Sequence, residues 1–407
     1  MIGGGLRLAR QARGYSQQQL AGMAGISRQA ISALESGVSD PSLRVALALA
    51  RALGMTVEEL FGPESTTPTL LARAVPPAAG PGLPAGPDLL AGTRVALAPI
   101  GESFAALPLT GPTTSRAGFL PAGGLVTGRP ADQPAPDQRA PGRAGAGQIA
   151  GQVAGQVAGQ VEVQPIGPPR PTLIVAGCDP ALPLLEAPLA LLDPPIGFTW
   201  WPCTSSEALR LAAAGLVHAA GVHLRGRSGG YNTGPAGESL GAGTEVIGFS
   251  AWREGLVIRP DLAGAVGGVA DVVAAGLRLV NREPGAEARR VLDRELASLQ
   301  VAGQDVPGYQ TTATGHLQVA DAIAAGLADA GVASEPAALA YGLAFVPLTA
   351  ERFDLVIPAR QAASREVQAL VRVLSSRWLL DQLASLPGYD PAPCGQHVAT
   401  LPGTAGG

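Results

Sequence analysis

From residue 3 to residue 62 apolar side chains recur at three- and four-residue intervals, with polar or glycine breaks between the runs. The spacing predicts five helices. One runs from about Gly5 to Ala12, Ser16 and Ser27 open two more, Pro41-Ser42 opens a fourth through Leu53, and Val57–Phe61 is a last turn. Ser16 with Gln19 three residues on has the form of a capping box, and Gly37 ends the helix that Ser27 opens. Leu20, Ala21, Ala24, Ile26, Ile31 and Leu34 fall on one apolar wedge. Ala21 is small where two helices meet, and Gly25 supplies the positive φ of a tight turn between them.

The periodicity fades after residue 62. Residues 63–91 form a Pro/Gly linker whose stretch Pro76–Pro87 cannot bury a core and is expected to be extended and mobile. Residues 92–166 form a small β module: short alternating runs over Thr93–Val126, such as Val95–Ile100, predict two or three strands, and Val161–Ile166 is expected to resume it. A low-complexity insertion over 128–160 interrupts it, with Ala-Gly-Gln-Val/Ile recurring four times.

From Pro171 onward apolar runs alternate with amphipathic ones. Strands are predicted at Thr172–Ala176, Phe198–Pro202, Ala219–Leu224, Glu245–Trp252, Gly255–Arg259, Leu277–Val280, Ala330–Val332, Ala344–Leu348 and Phe353–Ile357. Helices are predicted at Leu182–Leu192, Ser205–Ala214, Leu262–Ala275, Ala286–Leu299, His316–Ala328, Ala337–Tyr341 and Ser364–Leu383. This alternation predicts an α/β domain of mainly parallel sheets over 171–390, long enough for two lobes with a cleft, followed by a tail at 391–407.

Composition sharpens the division. The first 53 residues hold six arginines against Glu35 and Asp40, so a basic head of net +4 precedes a body of net −8. A head of that sign suits contact with nucleic-acid phosphates. Ser16–Gly37 reads as a helix-turn-helix, a unit that lays its second helix in the DNA major groove. Ser27, Arg28, Gln29 and Ser32 lie on the outward face of that helix, and Arg and Gln suit guanine and adenine edges. Gln17 is placed to meet a phosphate, and Glu35 is expected to orient Arg28. Such heads bind double-stranded DNA as dimers, and Leu43–Leu53 or the body would supply the contact.

In the body, three strand-to-helix junctions offer polar groups near free helix amides, where anions bind well. They are Cys178-Asp179, Thr204-Ser205-Ser206, and Asn281–Arg289 with Arg282, Gly285 and Arg289. Tyr309, Thr314 and His316 join them as ligand-contact candidates, and ordinary helix capping explains the Ser and Thr positions equally well. The polar, glycine-rich stretch Arg225–Gly234 reads either as a flap over a larger ligand or as a surface excursion. Cys178, Cys203 and Cys394 show no metal-ligand spacing and read as reduced thiols, so neither a metal nor a cofactor is expected. No P-loop, HExxH or GxSxG occurs, and His218, His223, His316 and His397 form no catalytic pattern, which points away from an enzyme. Neither a secretory signal nor a membrane span is predicted, so a soluble cytoplasmic protein is expected.

The segments Ser-Gln-Gln-Gln-Leu-Ala, Ile-Ser-Arg-Gln-Ala-Ile-Ser and Leu-Glu-Ser-Gly make the head resemble Cro/CI or XRE-type regulators, an all-α five-helix, lambda-repressor-like fold. The body is similar to type II periplasmic-binding-protein-like domains related to molybdate-binding proteins. Ala176–Leu182, Thr204–Leu209, Leu216–Leu224, Asn281–Gly285, Ala313–Ala322 and Arg352–Pro358 carry that resemblance. It implies a hinged two-lobed clamp that senses molybdate, tungstate or a molecule related to the molybdenum cofactor. Relatives commonly carry Gly-Ser-Gly-Thr-Arg where this chain has Gly285-Ala-Glu-Ala-Arg289, so two hydroxyls are lost and Glu287 is gained. A ligand-responsive DNA-binding transcriptional regulator is the expectation. A structural DNA-binding protein with an inert body, or an enzyme of molybdenum-cofactor metabolism, is the alternative.

Overall fold

Serine hydroxyls start three of the five helices of the head. The computed structural model describes residues 2–61, 68–75, 89–109, 120–130, 159–226 and 231–402, in two units, Met1–Thr69 and Leu70–Gly407. The first unit holds α1 (Ile2–Ala12), α2 (Gln17–Ala24), α3 (Arg28–Glu35), α4 (Leu43–Leu53) and α5 (Val57–Phe61). Ser16 and Gln19 close both halves of the capping box, and Ser27 and Ser42 accept the amides of Ala30 and Val45. Each cap satisfies an amide that the first turn leaves open. Gly25 ends α2 at φ 68°, a conformation that costs glycine little. Leu6, Leu20, Ala21, Ile31, Leu34, Leu49, Leu53 and Leu60 are buried together, as the wedge predicts, with Ile26 half-buried against them.

The second unit begins with a closed five-stranded barrel in the order β1-β3-β2-β4-β5. Its strands are β1 (Leu70–Ala74), β2 (Arg94–Ile100), β3 (Ser103–Pro108), β4 (Gly124–Gly128) and β5 (Gln160–Pro165). The predicted linker 63–91 is corrected here, because Leu70–Ala74 pairs with both β3 and β5 and closes the barrel. Only Ala72 of that strand is buried, so its apolar alternation is too faint to read alone. The two or three strands predicted over Thr93–Val126 are three, β2, β3 and β4, and the resumption expected at Val161–Ile166 is β5. Residues 76–88 of the linker and 131–158 of the insertion lie outside the described residues.

The rest is one nine-stranded mixed sheet flanked by helices. Its path is β11-β10-β12-β9-β13-β8-β6-β7, with β14 (His397–Thr400) added against β9. One half holds the parallel strands β6 (Thr172–Ala176), β7 (Gly197–Trp201) and β8 (Ala219–Val222). The other holds the parallel strands β10 (Leu279–Arg282), β11 (Thr312–Ala313) and β12 (Ala330–Ser334). Joining them are two long antiparallel strands, β9 (Glu245–Ile258) and β13 (Ala344–Ile357). The four strands predicted in these regions are therefore two, and the mainly parallel sheet is mixed. The breaks in the pattern at Arg253-Glu254 and Thr349–Arg352 mark the crossing from one lobe to the other.

Helices α6 (Glu186–Ala190), α7 (Ser205–Ala213) and α8 (Thr233–Leu240) belong to the first lobe, and α9 (Val269–Ala274), α10 (Glu287–Ser298), α11 (His316–Ala324) and α12 (Glu335–Ala340) to the second. The predicted helix Ser364–Leu383 is two, α13 (Arg365–Leu374) and α14 (Arg377–Ser385), because Ser376 caps a new start. The tail 391–407 is also corrected: His397–Thr400 pairs with β9. Separate apolar cores, one around Phe249, Phe353 and Leu370 and another around Leu256, Val291 and Leu292, hold the two lobes. Burying each such side chain stabilises its lobe by about 1.5–3 kcal/mol.

Candidate effector cleft and nucleic-acid interface

On the head, α3 presents Arg28, Gln29 and Ser32 exposed on one face, as expected of a helix that reads base edges. Ser27 is exposed too, but its hydroxyl is engaged as the cap of Ala30. Glu35 does not orient Arg28. It accepts Arg10 Nε at 2.6 Å and Arg10 Nη2 at 3.1 Å, and Gln17 Nε2 donates to it at 2.9 Å. The amide expected on a phosphate is thereby tied to the core of the head. Burial works to raise the Glu35 pKa, but the bonds from Arg10 and Gln17 outweigh it and hold the value below the ordinary range.

In the body, the carboxyl ends of four strands and the crossing points of β9 and β13 converge. Cys178 follows β6, His223 follows β8, Arg282 ends β10 and Ser334 ends β12. His316 opens α11 directly after β11. From the long strands come Trp252, Glu254 and Glu351, with Trp252 opposite Glu351 and Glu254 opposite Thr349 in register. Gly255 belongs to this crossing, since a Cβ there would sit 2.1 Å from the Val346 carbonyl oxygen. Ligands of open α/β sheets bind at such strand ends.

Several of the polar atoms gathered here lack hydrogen bonds, although Arg225 Nε lies 3.8 Å from Glu351 and His316 Nδ1 3.8 Å from Glu254. Both carboxylate oxygens of Glu254 and of Glu351 are buried without a hydrogen bond, as are Arg282 Nη1, Trp252 Nε1, His223 Nδ1 and His316 Nε2. Orphaned groups of this kind cost about 1–3 kcal/mol each and mark places where something polar binds. His223 Nε2 lies 3.1 Å from Cys178 Sγ, and its Nδ1 lies 3.9 Å from Glu351 Oε2. His316 Nδ1 accepts the Ser334 amide at 3.1 Å. The rings of His223 and His316 are 5.7 Å apart, and Trp252 stands 5.6 Å from His223.

Burial dominates the protonation of this cluster. It pushes Glu254 up to about 7, with Glu351 adding to the rise and His223 and Arg282 opposing it. It also holds His316 well below its ordinary value, helped by the charges of Arg282 and His223. For His223 burial acts the same way, but Cys178, Glu351 and Glu254 together overcome it and raise the value. Adjacent imidazoles thus favour opposite states.

The sequence candidates divide. Cys178, Arg282 and His316 line the cluster. Asp179 sits beside it, fully buried and satisfied by Ser250 Oγ at 2.9 Å, Tyr389 OH at 2.6 Å and the Ala181 amide at 2.8 Å. Ser205 Oγ accepts the His223 amide and so fixes that residue's backbone. Thr204 caps α7 through Glu207 N. Ser206 Oγ donates to the Gly285 carbonyl at 3.5 Å, which ties one lobe to the other. Arg289 stacks on Tyr309 at 4.9 Å, and Tyr309 OH donates to Asp293, so this pair serves the second lobe. Thr314 is half-buried two residues before His316. The described ends of the Arg225–Gly234 stretch fasten onto β13, where Arg225 and Tyr231 bind Thr349 and the Ala350 carbonyl.

A helix-turn-helix family matches residues 6–60, and a PBP superfamily domain matches residues 187–375. An HTH-type transcriptional regulator of Methanocaldococcus jannaschii, MJ0272, is 39% identical over 56 residues, 14% of this chain and 85% of that protein. The chain belongs to the helix-turn-helix regulators. Behind its head this regulator carries an α/β, periplasmic-binding-protein-like body of two lobes. YvgK of Bacillus subtilis is 31% identical over 146 residues, 36% of this chain, and the chain spans about half the length of that relative, 47%. An ABC-type phosphate transport receptor from Vibrio cholerae is 12% identical with a TM-score of 0.36, covering 54% of the regulator and 98% of the receptor. Among the described residues no helix is long and apolar enough to cross a membrane.

Sequence reasoning missed His223, Trp252, Glu254 and Glu351. The signal is present as a negative: both glutamates occupy interruptions of long apolar runs, between the predicted strands Glu245–Trp252 and Gly255–Arg259 and between Ala344–Leu348 and Phe353–Ile357.

Proposed function

We propose that this regulator binds double-stranded operator DNA as a homodimer and that a small molecule held between the lobes of its body sets operator occupancy. The observation that carries this reading is the set of orphaned polar atoms at the lobe crossing, above all the four carboxylate oxygens of Glu254 and Glu351. A clamp that leaves them unpartnered gains differential affinity for a ligand that pairs them, and differential affinity is what shifts a two-state equilibrium.

Two carboxylates in a buried site repel a bare dianion, so molybdate or tungstate alone suits it less than an organic molecule. An effector related to the molybdenum cofactor, with hydrogen-bond donors for Glu254 and Glu351 and acceptors for Arg282 Nη1 and Trp252 Nε1, fits the cluster better. Arg28, Gln29 and Ser32 read the operator, and exposed Leu43 and Leu47 on α4 supply apolar surface for the dimer. The body acts as sensor and not as enzyme.

The test is operator affinity of the full chain by fluorescence anisotropy, with molybdate, tungstate, sulfate and pterin compounds added in turn. A pterin-dependent shift that Glu254→Gln and Glu351→Gln each abolish supports the reading. A shift produced by molybdate alone and untouched by both substitutions overturns the effector assignment.

A further inference from the structure

We propose that Cys178, His223 and His316 form a binding site for a divalent transition-metal ion of the zinc type, at the lobe crossing. The proposal takes only its location from the reading of that crossing as the effector site. One donor atom from each residue lies within 4.8 Å of the others, and all three residues are buried. Zinc bonds of about 2.3 Å to sulfur and 2.1 Å to nitrogen place two donors roughly 3.5 Å apart at a tetrahedral angle. Cys178 Sγ and His223 Nε2 stand 3.1 Å apart, close to that separation.

A thiol–imidazole hydrogen bond accounts for that one contact, but not for the groups around it. Glu351 lies 3.9 Å behind the far nitrogen of His223, where a carboxylate orients a metal-binding imidazole. His316 Nε2 is buried without a partner, and so are the carboxylates of Glu254 and Glu351. The charge of Arg282 is matched by Glu283 at 2.8 Å, and the exposed Arg225 reaches Glu351 only at 3.8 Å, so Glu254 and Glu351 together hold carboxylate oxygens without a hydrogen bond for a dication to offset. Thiolate and imidazole donors select borderline ions such as zinc and cobalt over magnesium or calcium. Three protein ligands leave a fourth position for a donor atom of the effector.

The three ligands are unequal. His316 Nδ1 accepts the Ser334 amide, so the neutral ring carries its proton on Nε2. Ligation costs His316 either that proton or that hydrogen bond, which makes it the weakest of the three.

The experiment titrates cobalt(II) into the full chain after treatment with a chelator. One equivalent is expected to produce a thiolate-to-cobalt charge-transfer band with the visible bands of a four-coordinate ion, and zinc should displace it. Cys178→Ser should remove the charge-transfer band, whereas Cys203→Ser and Cys394→Ser should keep it. His223→Gln should abolish stoichiometric binding, His316→Gln should weaken it less, and Glu351→Gln should weaken it roughly 10–100-fold. Circular dichroism and retained operator binding exclude unfolding of the variants. No band at one equivalent, or an unchanged band in Cys178→Ser, overturns the proposal. If cobalt binds as described and no small molecule alters operator affinity, the ion stands and the effector reading fails. If a small molecule alters operator affinity and the stripped chain gives no band, the reverse holds.

Discussion

Glu35 in the head and Glu254 in the body are both carboxylates held out of water, and the protein treats them in opposite ways. Glu35, 5% exposed at its side chain, is paired with Arg10 and with Gln17. Glu254, fully buried, accepts no hydrogen bond at either oxygen, and its neighbour His316 Nδ1 stands 3.8 Å away. Among the described residues, every unpartnered buried side-chain atom belongs to the body. The head is thus complete as folded, a rigid reader whose buried charge holds α1, α2 and α3 together. The body carries a polar deficit at its lobe crossing, which a ligand can relieve. Stability resides in the first arrangement and responsiveness in the second.

The largest effect should come from the reading surface. Arg28→Ala combined with Gln29→Ala removes two side chains suited to bidentate base contacts, each worth about 1–3 kcal/mol. Operator preference measured by gel shift should fall at least tenfold, while hydrogen exchange of the head amides stays unchanged. Unaltered preference would remove α3 from the interface.

Next comes the comparison itself. Glu35→Ala strands Arg10 and Gln17 and should destabilise the head by about 1–3 kcal/mol, read as faster exchange of its amides. Glu351→Gln breaks no hydrogen bond in the body and should leave the body's denaturation midpoint equal or higher. A comparable loss in both variants would end the contrast.

The same contrast has a sign in pH. The value of Glu254 is raised to about 7 from 4.5, so the folded body holds a proton that the unfolded chain has released between those values. The contribution of Glu254 to the body's stability should therefore fall as pH rises from about 4.5 to 7. The buried His218, lowered to about 4, and His316, lowered by burial and by Arg282, contribute the opposite sign below 6.5. Glu254→Gln should remove the Glu254 contribution and gain about 1–2 kcal/mol near neutrality. Glu35 is shifted downward, so its contribution is present above about pH 4.5 and lost as pH falls. The urea midpoint of Glu254→Gln should gain on the parent body as pH rises from about 4.5 to 7, whereas the loss in Glu35→Ala should shrink as pH falls below about 4.5. A constant difference across pH in both variants would contradict the assignment.

Smallest is the pair of caps. Ser27→Ala and Thr204→Ala should each cost roughly 0.5–2 kcal/mol, because both hydroxyls accept a helix amide. Thr204→Ala should leave effector response intact, which separates its role as a cap from that of a ligand contact. A lost response would return Thr204 to the site.

Local rules decided the head. Caps, the Gly25 turn and the 3.6-residue wedge lie within a few residues of one another, so the chain alone determined five helices and the exposed row Arg28, Gln29 and Ser32. It also determined the alternation that builds the body, and it placed Cys178, Arg282 and His316 at strand ends. Only the tertiary structure decided that β9 and β13 run unbroken through the lobe crossing, bringing Glu254 and Glu351, 97 residues apart in the numbering of their register, to one cluster with His223. The same holds for Leu70–Ala74 and His397–Thr400, whose partners lie far away in the chain. The reason is physical: a cap or a turn is satisfied by its neighbours, whereas a strand's pairing and a buried charge's environment are set by residues that no local window contains.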